Sequence, residues 1–479
     1  MALTPEEESK LKLIISAFEN GKRLSDLPLA QGTNPYNMLV EVLDEDGESK
    51  KAALANLLPY AEEQCSYGVE FNVTVSTPTC TRIGNTDLHK TCPIQNRMRG
   101  CLLDDDGNVV EYLDPNDWTG HDRSGVRGQV MVEIPTHYRK FETDGNKRRV
   151  LLSEFPLPGY EQVPLMYISA YQATVDRTTN TLASVVNINP NFRGGGNQSD
   201  WDGTYRSVLG RPATGISRTN FRAYARKRKA NSTQWNCMTY DAQKTLYWLF
   251  VVEYATLNSQ ATYNSAFSSD GYRQGGLGAG VTTWNSDWNT FNGYYPFVPC
   301  GITDSLGNGT GVVTYHVENT DATIQKDFDV PRYHGIENPF GHIFQWTDGI
   351  NVRISATQAN GGDDLSKVFV CEDPSKFSDT GYTGYSHVGN EARNEGYVKE
   401  IIFGVGGEIM PKVCSGGGST TYFCDYHYTN IPNSGEVLRG VLFGGHANLG
   451  AGAGFAFAHS SYAPSSTSAS FGSRLCFIP

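Results

Sequence analysis

Hydrophobic residues in the N-terminal part of the chain recur at helical rather than strand spacing. The segment Thr4-Pro5-Glu6-Glu7 has the features of a capped helix start, with a threonine cap followed by proline and glutamates. Four apolar residues then share one face before Gly21 ends the helix: Leu11, Ile14, Ile15 and Phe18. A second amphipathic stretch runs from Ser49 through Leu54 to Pro59. We predict a helical region over 1–72 that serves anchoring or oligomerisation, with packing onto the rest of the chain as the alternative.

From about Val73 the pattern changes to the shorter repeat that is typical of strands. The pairs Leu102-Leu103 and Val109-Val110 flank Asp104-Asp105-Asp106-Gly107-Asn108, which predicts a β-hairpin. We therefore predict a small β-rich linker domain over residues 73–127.

Residues 128–479 combine strand patterns with one strong helical pattern. Apolar and polar residues alternate from Gln129 to Ile134, and a further strand is predicted from Val163 to Ile168. A helix is predicted from Asp241 to Ala255, with one apolar side made of Ala242, Leu246, Leu249, Phe250 and Tyr254. The rest, up to about residue 435, is rich in Gly, Asn, Ser and Tyr, which favours short strands and long loops. The predicted fold class is α+β.

Composition narrows the function without naming it. The chain has 479 residues, of which 39% are hydrophobic, so a sizeable core is expected. Its net charge of −12 argues against a nucleic-acid partner. No apolar segment is long enough to cross a bilayer, and glutamates follow Pro5 where a signal peptide would have a basic start. We therefore expect synthesis in the cytoplasm without membrane insertion, and the ten dispersed cysteines are expected to be buried thiols.

The C-terminal segment Arg439–Pro479 has a composition unlike the rest of the chain. It contains no Lys, Glu, Gln, Met, Trp or Asp, and small residues alternate in it with Phe, Tyr, His and Ser. Such alternation would place the interleaved side chains on one exposed face, where the fold would tolerate substitutions. Tyr, Ser, Gly and Asn are also favoured in binding surfaces. A flexible tail is the alternative, but the apolar ending from Leu475 to Ile478 favours a final buried strand.

Several segments, taken in order, resemble the C-type-lectin fold related to the formylglycine-generating enzyme. The C-terminal segment resembles the variable region of proteins in this group that are diversified by a retroelement, because template adenine randomisation in Asn codons excludes Lys, Glu, Gln, Met and Trp. Gln345 stands where the motif usually has Glu before Trp346. The resemblance covers residues 128–479, with the variable region at 439–479, and the other matching segments are Gln129–Pro135, Val163–Ile168, Tyr171–Thr174, Asp241–Gln243, Glu253–Ala255, Asn338–Gly341, Arg439, Gly444–Gly445 and Gly472–Leu475.

The resemblance implies a bacteriophage adhesin that is assembled into the virion in the host cytoplasm and binds a host surface receptor, either a glycan or a protein. It implies no catalysis, cofactor or metal, a homotrimeric assembly, and contact of the N-terminal region with other virion proteins. The expected scaffold residues are Gly444, Gly445, Gly472, Arg474 and Leu475. The expected ligand-binding residues are His446, Asn448, Leu449, Phe457, His459, Ser461, Tyr462, Ser466, Ser468 and Phe471.

Other functions stay open at this point. Enzymes related to this fold use a pair of cysteines, and Cys414 with Cys424 lie in the corresponding region at a different spacing. A purely structural virion protein is another alternative. Asp363 and Asp364 could supply calcium ligands, although acidic loop pairs are usually only solvated. The basic run Arg222, Arg226, Lys227, Arg228 and Lys229 is expected to form a solvated face or a subunit contact.

Overall fold

A computed structural model describes residues 61–318, 325–356 and 365–479, together with the backbone of two strands further toward the N-terminus. Those strands, β1 (Leu39–Leu43) and β2 (Ser49–Ala53), form an antiparallel pair. The predicted helix that begins at Thr4 lies outside the described residues. The helix predicted from Ser49 is wrong over Ser49–Ala53, because this segment pairs with the β-branched and apolar segment Leu39–Leu43.

Strands predominate over helices in the described residues, and the predicted α+β class is confirmed. The further strands are β3 (Ser66–Asn72), β4 (Thr81–Gly84), β5 (Arg99–Leu103), β6 (Val109–Tyr112), β7 (Gln129–Ile134), β8 (His137–Asp144), β9 (Lys147–Ser153), β10 (Glu161–Val163), β11 (Met166–Ser169), β12 (Thr174–Asp176), β13 (Thr181–Ala183), β14 (Trp235–Cys237), β15 (Gly311–Val317), β16 (Lys326–Tyr333), β17 (Ile336–Glu337), β18 (Phe344–Ser355), β19 (Ser366–Val370), β20 (Ser386–Asn390), β21 (Gly396–Tyr397), β22 (Glu400–Phe403), β23 (Glu408–Val413), β24 (Tyr426–Tyr428), β25 (Glu436–Gly444), β26 (Gly454–His459), β27 (Phe471–Gly472) and β28 (Leu475–Phe477).

Among the described residues the α-helices are fewer than the strands. They include α1 (Thr86–Thr91), α2 (Arg218–Arg226), α3 (Tyr240–Tyr254) and α4 (Ser286–Asn292). Single 3-10 turns lie at Gln95–Arg97, Pro190–Phe192, Ser199–Trp201, Asp304–Leu306, Pro374–Lys376 and Gly450–Gly452.

Three large sheets organise these strands. A five-stranded antiparallel sheet has the order β10-β8-β9-β3-β4, and a six-stranded antiparallel sheet has the order β14-β28-β11-β7-β5-β6. The third sheet has the order β20-β19-β18-β25-β26-β24-β21, and β27 adds to it alongside β18. Smaller pairings join β12 to β13, β15 through β16 to β17, and β22 to β23.

The predicted domain boundaries fall between strands of the same sheets. Strand β3, which ends at Asn72, pairs with both β4 and β9, and β5 pairs with β7 across the boundary at 127/128. Residues 73–127 therefore contribute strands to both sheets instead of forming a small domain of their own. Alternation along the chain identified strands such as the Leu103–Val109 hairpin correctly, but it holds no information about their more distant partners.

Helix α3 confirms the strongest helical prediction and lies at the centre of the fold. The Thr239 hydroxyl caps it by accepting a hydrogen bond from the amide of Ala242. The helix packs against β3 and β9 on one side and against β18 and β26 on the other. Nearly the whole of α3 is therefore buried, rather than only the apolar side that the sequence indicated.

Two of the other predicted elements differ from the structure. The strand predicted over 163–168 is divided, since β10 ends at Val163 and β11 begins at Met166. Pro164 lies between them and cannot donate a backbone hydrogen bond to a ladder. The predicted solvated basic face is wrong for Arg222, whose Nε donates to Asp348 Oδ2 at 2.5 Å and whose Nη2 donates to Asp379 Oδ1 at 2.8 Å.

Two large apolar clusters fill the interior. The first surrounds α3 and includes Phe250, Ile350 and Phe455. The second lies between the six-stranded sheet, α2 and the C-terminal strands, and it includes Trp346 and Phe457. The C-terminal segment therefore contributes to both clusters.

Candidate binding surface

Strand pairing gathers aromatic residues from three separate segments at one edge of the third sheet. Strand β24 runs parallel to β26 and places Tyr428 opposite His459. On its other side β24 runs antiparallel to β21 and places Tyr426 opposite Tyr397. Side chains of opposite residues lie on the same face of a sheet, so these rings form a continuous row.

We call this row, with one residue added from the following loop, the aromatic band; it consists of Tyr397, Tyr426, Tyr428, His459 and Tyr462. Neighbouring ring centroids are 5.1, 4.7, 5.0 and 4.8 Å apart in that order. Tyr397, Tyr426 and Tyr428 are half-buried, and Tyr462 is 38% exposed. A surface of this kind offers rigid contact area with hydroxyl groups at its rim.

A layer of buried aromatic rings lies next to the band. Phe344 lies at the centre of this layer, with ring centroids 5.6 Å from Phe457, 5.6 Å from His459 and 5.7 Å from Phe471. The Tyr462 ring lies 4.9 Å from that of Phe471. These buried rings thus adjoin the His459 and Tyr462 rings of the band.

Three of the ten predicted ligand-binding residues are buried, two of them in this layer and the third, His459, within the band, and their predicted exposure is wrong. Phe457 is 0% exposed, Phe471 3% and His459 8%. The physical reason is that β26 is covered on both faces. Phe455 packs towards α3 against Phe250 at 5.6 Å, while Phe457 packs towards Phe344.

Four other predicted residues lie at the ends of the loop that joins β25 to β26, or just beyond β26. His446 is half-buried, with its ring centroid 4.3 Å from that of Phe344, and burial lowers its pKa to about 4. Asn448 is exposed, and Leu449 and Ser461 are half-buried. These four side chains keep part of their surface accessible.

The loop from Ser460 to Ser470 carries the remaining predicted residues, Ser466 and Ser468, which are half-buried. Backbone hydrogen bonds hold this loop at several points. The amide of Gly440 donates to Tyr462 O, that of Arg218 to Pro464 O, and that of Gly215 to Ser468 O. The side chains of the loop are thus presented from a backbone whose position does not depend on their identity.

The sequence reading missed Tyr397, Tyr426 and Tyr428. They lie before the C-terminal segment, and only the sheet pairing brings them beside it. A local signal existed in Tyr426-His427-Tyr428, where tyrosines alternate with a histidine that is fully buried.

Arg474 holds the scaffold together, in agreement with its predicted role. Its buried guanidinium donates from Nε to Gln345 Oε1 at 2.8 Å, from Nη1 to Ser169 O at 3.1 Å and from Nη2 to Asn338 O at 2.6 Å. Burial lowers the pKa of Arg474 to about 10. Gly444 and Gly445, also predicted as scaffold, end β25 with φ values of 86° and 76°, which favour glycine.

Gln345 shows how the departure from Glu is accommodated. Its Oε1 accepts from Arg474, and its Nε2 donates to Pro339 O at 2.9 Å. A carboxylate could accept from Arg474 but could not donate to the carbonyl of Pro339. The amide therefore satisfies both neighbours with a neutral group.

Polar groups are also buried next to the band. Glu391 accepts hydrogen bonds from Thr429 Oγ1 and Ser460 Oγ, both at 3.0 Å, and burial raises its pKa to about 8. His427 Nε2 lies 4.0 Å from Glu391 Oε2, and burial lowers the pKa of this histidine to about 4. Burial, together with His427 and His446, lowers the pKa of His459 to about 3. His427 and His459 are therefore neutral at neutral pH.

All ten cysteines are buried and free, as predicted. Among the described residues, no group of three or more His, Cys, Asp or Glu side chains could hold a metal ion. Asp363 and Asp364 lie outside the described residues. Within the part of the chain that the structure describes, no helix has the length and apolar character needed to cross a bilayer.

Comparison of the sequence with protein-family models and with curated proteins finds no match.

Proposed function

We propose that this protein is a bacteriophage virion adhesin whose residues 128–479 form a C-type-lectin-like domain, and that it binds a host surface receptor through the aromatic band. The observation that carries the proposal is the band itself: five rings in continuous contact, seated on a buried aromatic layer. Tyrosine is enriched among the residues that dominate binding energy at interfaces. Ser461 supplies a hydroxyl group beside the band, next to His459 and Tyr462, and Asn448 and Ser466 are further accessible polar side chains of the C-terminal segment.

The convergence of the family-like segments supports the lectin-type part of the proposal. Ser169 follows the matching segment Val163–Ile168. Asn338 begins the matching segment Asn338–Gly341, and Gln345 stands before Trp346 in a further motif. All three meet at the single guanidinium of Arg474, which belongs to the closing motif. Asn338, Gln345 and Arg474, which lie far apart in the chain and belong to segments that match one family pattern, thus share one hydrogen-bonding network.

The thiol-oxidase alternative is less well supported. Burial raises the pKa of both Cys414 and Cys424 to about 12, with Glu391 adding to the effect for Cys414 and Asp425 for Cys424. The thiolate is the reactive form of cysteine, so both groups are held in their unreactive state at neutral pH.

Substitution of two tyrosines of the band tests the proposal. We expect Tyr462→Ala and Tyr426→Ala to weaken binding of the purified protein to host cells by about tenfold or more, the loss typical of an aromatic contact at the centre of an interface. Binding is measured by titration on intact cells, and the melting temperature of each variant is measured alongside. Tyr205→Ala is the matched control, because Tyr205 is 36% exposed and does not belong to the band.

Unchanged cell binding by both band variants would reject the adhesin role for this surface, whereas absence of cell binding by the wild type would favour the structural virion protein. The family resemblance also extends the proposal to a homotrimer with virion contacts in the N-terminal region. Multi-angle light scattering of the full chain measures the oligomeric state independently of receptor binding.

A further inference from the structure

A cleft that includes no residue of the aromatic band lies where β4, the C-terminal end of α3 and the segment 256–275 meet. Its volume is about 360 Å³. Ligand pockets for small molecules span about 300–1,000 Å³, so this cleft has the size for a small ligand. Its polar lining includes Thr79, Arg82, Asn258, Ser268, Arg273 and Gln274.

Two arginine side chains, Arg82 and Arg273, line this cleft. Arg82 Nη2 donates to the backbone carbonyls of Glu253 at 3.1 Å and Arg273 at 2.9 Å, and its guanidinium lies 4.6 Å from the centroid of the Tyr272 ring. These contacts hold Arg82 in place through neutral partners. Burial lowers the pKa of Arg82, the effect expected of a desolvated cation that has no carboxylate beside it.

Arg273 is only partly engaged by an acid. Its Nε lies 3.5 Å from Glu253 Oε1, longer than a strong charge-assisted hydrogen bond. The carboxylate of Glu253 is already bound more closely by Tyr333 Oη at 3.0 Å and by His334 Nε2 at 2.9 Å. The Arg273 side chain is 28% exposed and lines the cleft, and its guanidinium lies 4.6 Å from the centroid of the Phe267 ring.

The lining of the cleft favours an anion over other ligands. None of the described residues that line it carries a carboxylate, although the chain as a whole has a net charge of −12. The groups around the two arginines are hydroxyls and amides, which can donate hydrogen bonds to oxygen atoms. Guanidinium groups match the planar or tetrahedral oxygens of carboxylates and phosphates.

We propose that this cleft binds a small molecule through an oxyanion group, carboxylate or phosphate, that is held by Arg82 and Arg273 and by the neighbouring hydroxyl and amide groups. The binding is independent of the proposed adhesin function, since none of these residues belongs to the aromatic band. The ring of Tyr272 and the Thr79 and Ser268 side chains would contact the remainder of the ligand.

Titration calorimetry of the full chain tests this proposal with sodium phosphate and sodium citrate as the two probes and with glycerol as the neutral control. We expect one-to-one, saturable binding of at least one anion, which weakens as the ionic strength rises. Preference for phosphate or for citrate then identifies the kind of oxyanion. Arg273→Gln is expected to weaken the binding by about tenfold or more, the loss typical of a charge-assisted hydrogen bond.

The controls separate a specific site from general charge. Arg206→Gln removes a positive charge that stacks 4.7 Å from the Trp201 ring centroid, outside the cleft, and we expect it to leave anion binding unchanged. Arg82→Lys keeps the charge but has fewer fixed donors, and an intermediate loss is expected. The proposal is overturned if neither anion binds saturably, or if Arg206→Gln weakens binding as much as Arg273→Gln.

Discussion

Strand β26 and the loop Ser460–Ser470 follow each other in the C-terminal segment and have similarly restricted compositions, yet they are placed in opposite ways. Every residue of β26 is buried, including Phe457 and His459. The loop keeps Tyr462, Ser465 and Thr467 exposed, while its backbone is tied to Gly440, Arg218 and Gly215. Composition alone therefore does not show which positions of the segment tolerate substitution. The residues that cover each face of the strand must also be known.

The largest expected difference between the two regions is in stability. Phe457→Ala removes a fully buried ring from the layer around Phe344, and we expect the free energy of unfolding to fall by about 3–5 kcal/mol. Ser466→Ala in the loop is the matched control and should change it by less than about 0.5 kcal/mol. Chemical denaturation of both variants measures the two effects, and similar losses would remove the distinction between β26 and the loop.

A smaller effect is expected from pH. The pKa of His459 is lowered to about 3 in the folded chain, below the unfolded value of about 6.5, so the unfolded chain binds this proton first. The wild type should therefore lose stability as the pH falls from about 6.5 towards 3. His459→Phe keeps the ring contacts but cannot titrate, and by pH 4.5 it should be spared about 3 kcal/mol of this loss.

Urea denaturation of the wild type and His459→Phe at pH 7.5 and pH 4.5 measures this difference. Two other histidines act on His459, His427 and His446, and both remain in the variant. Parallel loss of stability in the two proteins between these pH values would show that His459 is not held neutral by burial.

Much of the architecture was accessible from the sequence, because strong local patterns survive in the fold. The helix from Asp241 and the hairpin from Leu102 to Val109 are present, and Arg474 has the scaffold role that its motif implied. Several of the wrong or missed features depend on distant pairing. β3 finds its partner β9 far along the chain, and β24 brings Tyr426 and Tyr428 beside His459.

The candidate site shows the same limit in physical terms. Period-two alternation assigns side chains to two faces of a strand, but it does not say whether a second layer covers the outer face. For β26 the outer face is covered by Phe344 and the inner face by α3, so Phe457 and His459 became core. For the loop after Ser460 no such layer covers Tyr462, and its predicted exposure is correct.

Hydroxyl-radical footprinting of the protein, alone and bound to host cell envelopes, tests the central claim most directly. The account predicts that bound envelopes protect Tyr426, Tyr428 and Tyr462 from oxidation while Tyr205, which is exposed outside the band, stays equally reactive. Binding to the envelopes with unchanged reactivity of all three band tyrosines would contradict the account, because the receptor would then occupy another surface.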